Sequence, residues 1–156
     1  MKQVKVSNIY LSNNRPLTLI AGLNVLEEKE IIFEVVETCK EVTSKLKIPF
    51  IFKASYDKAN RSSIHSFRGP GIDEGLELLK KVRSDYAVPV ISDIHSIEEV
   101  EKASKVLDII QIPAFLCRQT DLLSSAAASG LPVNLKKGQF LSPSDVGNII
   151  GKFDNF

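Results

Sequence analysis

The densest chemistry in the sequence lies in the run Phe52-Lys53-Ala54-Ser55-Tyr56-Asp57-Lys58-Ala59-Asn60-Arg61-Ser62-Ser63. Arg61 offers a planar fork suited to bidentate contact with a phosphate, and Lys58 is a compact point charge. The hydroxyls of Ser62 and Ser63 and the amide of Asn60 add donors. Between Lys53 and Arg68 stand four cations (Lys53, Lys58, Arg61, Arg68) against one acid, Asp57. Taken alone, the segment reads either as a phosphate grip or as a solvated basic loop. Further cations follow later apolar runs: Arg118 after Ile109-Ile110-Gln111-Ile112-Pro113-Ala114-Phe115, and Lys136 and Lys137 after Leu131–Leu135. Gathered at one end of a fold, these charges would repel each other without an anion between them, and phosphate-bearing ligands would supply it. Asp93 ends Val90-Ile91-Ser92-Asp93, where it reads as a catalytic or hydrogen-bonding group or as a capping aspartate. His65 and His95 have no partner at ligand spacing, so neither supports a metal site.

Strand-like and helix-like segments alternate to position these groups. Residues Val4 to Leu11 alternate loosely ahead of the turn cluster Ser12–Pro16, so a hairpin is expected to open the chain. Short strands are expected at Leu17–Gly22, Pro49–Ser55, Val88–Ile94, Leu107–Ala114 and Leu131–Lys136. Helices are expected at Glu27–Lys47, at Ile72–Val82, after a capping box at Ser96 to Glu99, at Asp121–Ser129, and after Ser142-Pro143. Five strands alternating with helices imply parallel βαβ units. Lys53 and Ser55 share a strand face with Ile51, Gln111 shares one with Ile109, and Lys136 one with Asn134. An open sheet covered on both faces tolerates a lysine there poorly, whereas a barrel presents such residues at its C-terminal rim. A single α/β domain spanning residues 1–156, built as part of a β/α barrel, is the expected architecture.

Composition narrows the function. With 20 Lys and Arg against 19 Asp and Glu, the net charge of +1 provides no global field for nucleic acid or an anionic membrane. No apolar run approaches the roughly 18 residues a membrane span needs, and Met1–Lys5 leads into no signal-like apolar stretch. Cys39 and Cys117 are far apart, which fits free thiols and a reducing cytoplasm.

The run Lys53 to Ser63, with Phe67-Arg68-Gly69-Pro70-Gly71 after it, resembles the signature of the 3-deoxy-D-manno-octulosonate 8-phosphate synthases. Gly22-Leu23-Asn24-Val25-Leu26-Glu27, Gln111 to Asp121, and Asn134-Leu135-Lys136-Lys137-Gly138-Gln139-Phe140 extend the resemblance over essentially the whole chain. The related 3-deoxy-D-arabino-heptulosonate 7-phosphate synthases carry a Lys-Pro-Arg loop where this chain has Lys58-Ala59-Asn60-Arg61. The resemblance implies a (β/α)₈ TIM barrel that condenses phosphoenolpyruvate with arabinose 5-phosphate for lipopolysaccharide inner-core synthesis, without a lysine Schiff base. It places Asn24, Lys53, Lys58, Asp93 and Lys136 among the catalytic residues. Lys53, Ser55, Lys58, Gln111, Ala114 (through its backbone) and Lys136 would hold phosphoenolpyruvate; Asn60, Arg61, Ser62 and Arg118 would hold the sugar phosphate, and Phe115 is a further substrate contact. One branch of the family has a metal-ligating cysteine where this chain has Asn24, so the implied cofactor set is empty and metal-independent. The implied assembly is a homotetramer.

A full barrel takes about 250 residues, whereas this chain carries about five β/α units after the hairpin. The expectation is a partial barrel from the N-terminal part of such an enzyme, with open strand edges, poor solubility and no activity by itself. Two other readings stay open. One is a sister condensing enzyme using erythrose 4-phosphate; the other is a non-catalytic half-barrel serving as a phosphate-binding or oligomerisation module.

Overall fold

A computed structural model describes residues 3–153. An antiparallel hairpin, β1 (Val4–Val6) and β2 (Ile9–Leu11), opens it. The turn falls at Ser7-Asn8, inside the alternating run, and Ser7 takes a left-handed φ of 52° to make it. There follow β3 (Leu19–Gly22), α1 (Lys29–Leu46), β4 (Phe50–Lys53), α2 (Ile72–Tyr86) and β5 (Val90–Asp93). The chain continues through α3 (Ile97–Ser104), β6 (Ile109–Ile112), α4 (Thr120–Ala128), β7 (Val133–Leu135) and α5 (Val146–Phe153). Strands β3 to β7 form one parallel sheet in sequence order. All five expected strands and the helices between them are present, each strand shorter than the apolar run that announced it. This is the (β/α) barrel pattern over five units, preceded by a hairpin.

Side-chain parity sorts the sheet into two environments. Phe50, Phe52, Val90, Ile110 and Ile112 point outward into one core with Ile32 and Val36 of α1, Leu79 and Val82 of α2, Val100 of α3 and Leu123 of α4. The alternate residues Ile51, Ile91 and Ile109 point the other way and form a separate small cluster with Val6, flanked by Ile9 and Leu11 of the hairpin. Helices therefore cover one face and the hairpin stoppers the base of the other. A doubly wound sheet would have helices on both faces; a barrel has them outside only.

At the opposite end the inward positions turn polar, because Lys53, Asp93 and Gln111 follow the isoleucines two residues further along each strand and Asn134 of β7 pairs with Gln111. On β3, Leu19 and Ile20 remain 37% and 39% exposed on a strand paired along one side. Ser142 caps the last helical segment as expected: its hydroxyl and backbone N–H meet Asp145, and Pro143 opens a 3₁₀ turn leading into α5.

Asp108, just before β6, ties three elements together. Its Oδ2 accepts from the backbone N–H of Val90 at 2.9 Å, and its Oδ1 lies 2.9 Å from the Arg83 guanidinium of α2. Asp108→Ala would orphan a buried N–H, at a cost of roughly 1–3 kcal/mol. Urea unfolding of the two proteins should show a lower midpoint for the variant; an unchanged midpoint would mean the N–H finds another acceptor.

Candidate active site

Four inward side chains at the C-terminal end of the sheet hydrogen-bond in a row across the strands. Ser55 Oγ donates to Asp93 Oδ2 at 2.5 Å, Gln111 Nε2 donates to Asp93 Oδ1, and Asn134 Nδ2 donates to Gln111 Oε1 at 2.7 Å. The row follows from register, since Asp93 pairs with Gln111 and Gln111 with Asn134. Two lysines approach Asp93 from above. Lys58 Nζ lies 3.2 Å from Oδ2, and Lys53 Nζ lies 3.9 Å from it while donating to Ser55 Oγ at 2.7 Å.

Electrostatics at this cluster pull in opposite directions. Burial pushes the Asp93 carboxyl up, but the hydrogen bonds from Ser55 and Gln111 and the charges of Lys53 and Lys58 outweigh it and hold it below the usual carboxylate range. Lys53 is lowered from 10.5 to about 8, first by burial, with Asp93 opposing and the positive charges of Lys58 and Lys136 adding to the drop. One carboxylate thus faces three lysines. The site carries surplus positive charge and has been stripped of water on its inner side, which is the condition for gripping an anion strongly.

A cleft of about 360 Å³ opens directly over this cluster. Lys58, Asn60, Asp93, Ala114, Phe115 and Lys136 all line it, together with His95 and Gln139. Asn24 stands at the same rim. The backbone N–H groups of Leu23 and Leu26 donate to the carbonyls of Lys53 and Ser55, each at 2.9 Å, and lay the intervening residues against the end of β4. Asn24 itself is exposed.

The loop after β4 is held at its neck. Arg68 grips Asp57 with two nitrogens, at 2.8 and 2.5 Å, and its carbonyl accepts from the Lys58 N–H at 2.7 Å. The hydrogen bond from the Arg68 guanidinium, more than the opposing burial, holds the Asp57 carboxyl below its ordinary range. Arg68 counts among the four cations of the segment, yet the structure spends it on closing the loop. Arg61 and Ser62 sit further out and exposed, with Arg61 Nε donating to the Phe67 carbonyl at 3.0 Å.

Arg118 lies apart from the cleft. It lines a neighbouring groove with Leu141, Asn148, Ile149 and Lys152, and its carbonyl accepts from Lys152 Nζ at 3.0 Å. The structure therefore brings Lys53, Ser55, Lys58, Asp93, Gln111 and Lys136 together, sets Asn24, Asn60, Ala114 and Phe115 around them, and leaves Arg61, Ser62 and Arg118 at the margin.

Glu99, Tyr56 and His95 also stand at the site, and the sequence assigned none of them a role there. Glu99 does not reach back to Ser96 as a capping box would have it, and Ser96 makes no side-chain cap hydrogen bond. Its Oε2 instead accepts from Tyr56 OH at 2.7 Å and from the backbone N–H of His95 at 2.8 Å. Tyr56 is fully buried and its hydroxyl is driven above its ordinary pKa, by burial first and then by Glu99. It is also closely packed. A Cβ added at Gly75 would stand 2.2 Å from Tyr56 Cβ, and one at Gly69, whose φ is +115°, would stand 2.4 Å from the Tyr56 carbonyl oxygen. The helix and the returning loop both need glycine to approach the Tyr56 backbone and Cβ. The Lys58-to-Arg61 loop springs from a fixed point.

Among the described residues, no three His, Cys, Asp or Glu side chains converge as a metal ion would require, and no helix is long and apolar enough to cross a membrane.

Comparison with known proteins gives this geometry a lineage. The chain is similar to the 2-dehydro-3-deoxyphosphooctonate aldolase of Geotalea daltonii, at 55% identity over 152 residues, covering 97% of this chain and 56% of that protein. The proteins of the same name from Bdellovibrio bacteriovorus and Aliivibrio fischeri are 51% and 50% identical to it, again over 97% of this chain and over 53% and 54% of theirs. The chain thus spans about half the length of the curated relatives it matches. The model of the DAHP synthetase I family matches residues 2–155, so every strand and every cleft residue described above falls within it. The match leaves no element of the fold outside: the chain belongs to the DAHP synthetase I family.

Proposed function

We propose that this chain carries the phosphoenolpyruvate-binding end of a 3-deoxy-D-manno-octulosonate 8-phosphate synthase, the activity that the relatives' name, 2-dehydro-3-deoxyphosphooctonate aldolase, denotes. The observation that supports this most is the meeting of Lys58 and Lys136 on one cleft whose lining includes the Asp93 carboxylate, with Lys53 partly buried beside that carboxylate.

In this reading C3 of phosphoenolpyruvate forms a bond to the aldehyde carbon of arabinose 5-phosphate, whose oxygen takes up a proton. Water adds at C2, and inorganic phosphate leaves with cleavage of its bond to that carbon. Lys53, Ser55, Lys58, Gln111, the Ala114 backbone and Lys136 hold phosphoenolpyruvate, while Asn60, Arg61, Ser62 and Arg118 hold the sugar phosphate, with Phe115 against it. The chain's contribution is to align two anions and stabilise the charge they develop, in a site where burial makes each lysine count for more than it would in water. Assembly as a homotetramer, a cytoplasmic location and a product destined for lipopolysaccharide belong to the same proposal.

Titration calorimetry of the 156-residue chain with phosphoenolpyruvate tests this directly. Saturable binding that Lys136→Met weakens at least tenfold is expected, and the complex should take up arabinose 5-phosphate in preference to erythrose 4-phosphate. Absence of binding at millimolar phosphoenolpyruvate would defeat the proposal; preference for the four-carbon sugar would replace it with the heptulosonate reading.

Metal independence is proposed on the same footing. Its support is Asn24 itself, an exposed neutral amide at the position where one branch of the family has a metal-ligating cysteine, and no step is routed through a metal. Phosphoenolpyruvate affinity measured before and after exhaustive chelation is expected to agree. A loss that Mn²⁺ or Zn²⁺ restores would overturn the expectation.

A further inference from the structure

His95 forms part of the cleft wall, and its surroundings determine which of its nitrogens can face a ligand. Nδ1 is buried and has no aligned hydrogen-bond partner among the described residues. It lies 3.3 Å from Glu99 Oε2, the same oxygen that accepts from the His95 backbone N–H and from Tyr56 OH. The imidazole meets the Tyr56 ring edge to face, with centroids 6.0 Å apart and planes at 83°. Tyr56 is itself immobilised by the close approach of Gly75 and Gly69. Its ion-pair and ring contacts among the described residues thus lead to Glu99 and Tyr56.

A lone pair on Nδ1 would face a carboxylate oxygen at 3.3 Å, negative against negative, in a buried setting. A proton on Nδ1 turns that repulsion into attraction. The hydrogen bonds Glu99 receives from His95 and Tyr56 outweigh its burial and keep it ionised, which strengthens the preference. In the neutral ring a proton on Nδ1 makes Nε2 the unprotonated nitrogen, on the side of the ring away from Glu99.

We propose that Glu99 is a positioning residue that, braced by Tyr56, fixes His95 as its Nδ1–H tautomer and turns the Nε2 lone pair toward the cleft as an acceptor for an O–H donor of a bound ligand. The inference rests on reading the cleft as a substrate site, and it gives that site an acceptor among its many donors. Lys58 and Lys136, which line the cleft, are donors, and Asp93 is already taken up by Ser55, Gln111 and Lys58, so His95 Nε2 adds an acceptor that no neighbour among the described residues has engaged.

The sequence has two histidines, which makes the test tractable. Long-range ¹H–¹⁵N correlation spectra of the ¹⁵N-histidine-labelled 156-residue chain at about pH 8 report the tautomer of each. His65 is exposed and serves as the internal reference, expected to show the mixture found in water, with Nε2–H dominant. His95 is expected to show a protonated Nδ1 and an unprotonated Nε2. An Nε2–H form at His95, or a ring protonated on both nitrogens, would overturn the proposal. In the double variant Tyr56→Phe with Glu99→Leu, which removes both partners of that hydrogen bond together, His95 should move to the mixture seen for His65; retention of the Nδ1–H form would show that Glu99 does not set it. If that variant fails to fold, the wild-type spectrum decides the question by itself. Phosphoenolpyruvate binding is measured on the same sample, so its failure would count against the proposed function while leaving the tautomer result to stand or fall separately.

Discussion

Replacing Asp93 with alanine is expected to lower the unfolding free energy by about 3–5 kcal/mol, the usual cost of removing one partner from a buried charged network. Asp93 is 5% exposed, accepts hydrogen bonds from Ser55, Gln111 and Lys58, and forms an ion pair with Lys53. Its loss leaves two neutral donors without a partner and two lysines facing each other across an emptied position. Lys53 can shed its proton, which caps the damage. Asp93→Asn keeps the shape and the acceptor for Gln111 but points an amide at the lysines, so a smaller loss is expected. Because the folded-state carboxyl is held below its ordinary range, its contribution is present above about pH 4 and disappears as the pH falls further. Urea unfolding at pH 7 measures all of this, and a change below about 1 kcal/mol for Asp93→Ala would show that the cluster is not a network at all.

The second large effect is on binding, and pH reveals it. Lys53 titrates near 8 in the folded protein against an ordinary 10.5, so the unfolded chain holds a proton that the folded one releases between those values. Stability of the free protein should therefore rise with pH from about 8 to 10.5, by roughly 3 kcal/mol at most. A bound anion reverses the preference, because it stabilises the charged lysine. Phosphoenolpyruvate affinity is then expected to fall up to about tenfold per pH unit above 8, well clear of phosphate's own ionisation near 6. Calorimetry in buffers of different ionisation enthalpy should show protons taken up on binding at pH 8. Lys53→Met should lose both the proton uptake and the steep pH dependence; a variant that keeps them would assign the titration to another group.

Much of this site is visible in a list of residues, and the reason is periodicity. Ile51, Lys53 and Ser55 must share a face whatever the strand packs against, and so must Ile109 and Gln111. A polar residue two places beyond a buried isoleucine, found on strand after strand, already implies a wall that is oily at one end and charged at the other. What stays hidden is lateral. Gln111 and Asn134 are 23 residues apart and touch because β6 and β7 lie side by side in a particular register. Glu99 looks like a helix cap because Ser96 stands three residues earlier, and the tie goes instead to Tyr56, 43 residues away. Arg68 counts as one more phosphate-binding cation until the fold returns it to Asp57. Local sequence cannot say which of two plausible partners a side chain takes when one of them arrives from another element.

The hairpin beneath the sheet has a consequence for traffic. Val6, flanked by Ile9 and Leu11, fills the space under Ile51, Ile91 and Ile109, so the concave side is a cul-de-sac with its floor at the hydrophobic end. The approach to Lys53 and Ser55 is thereby displaced to the other end of the strands, where Lys58 and Asn60 stand.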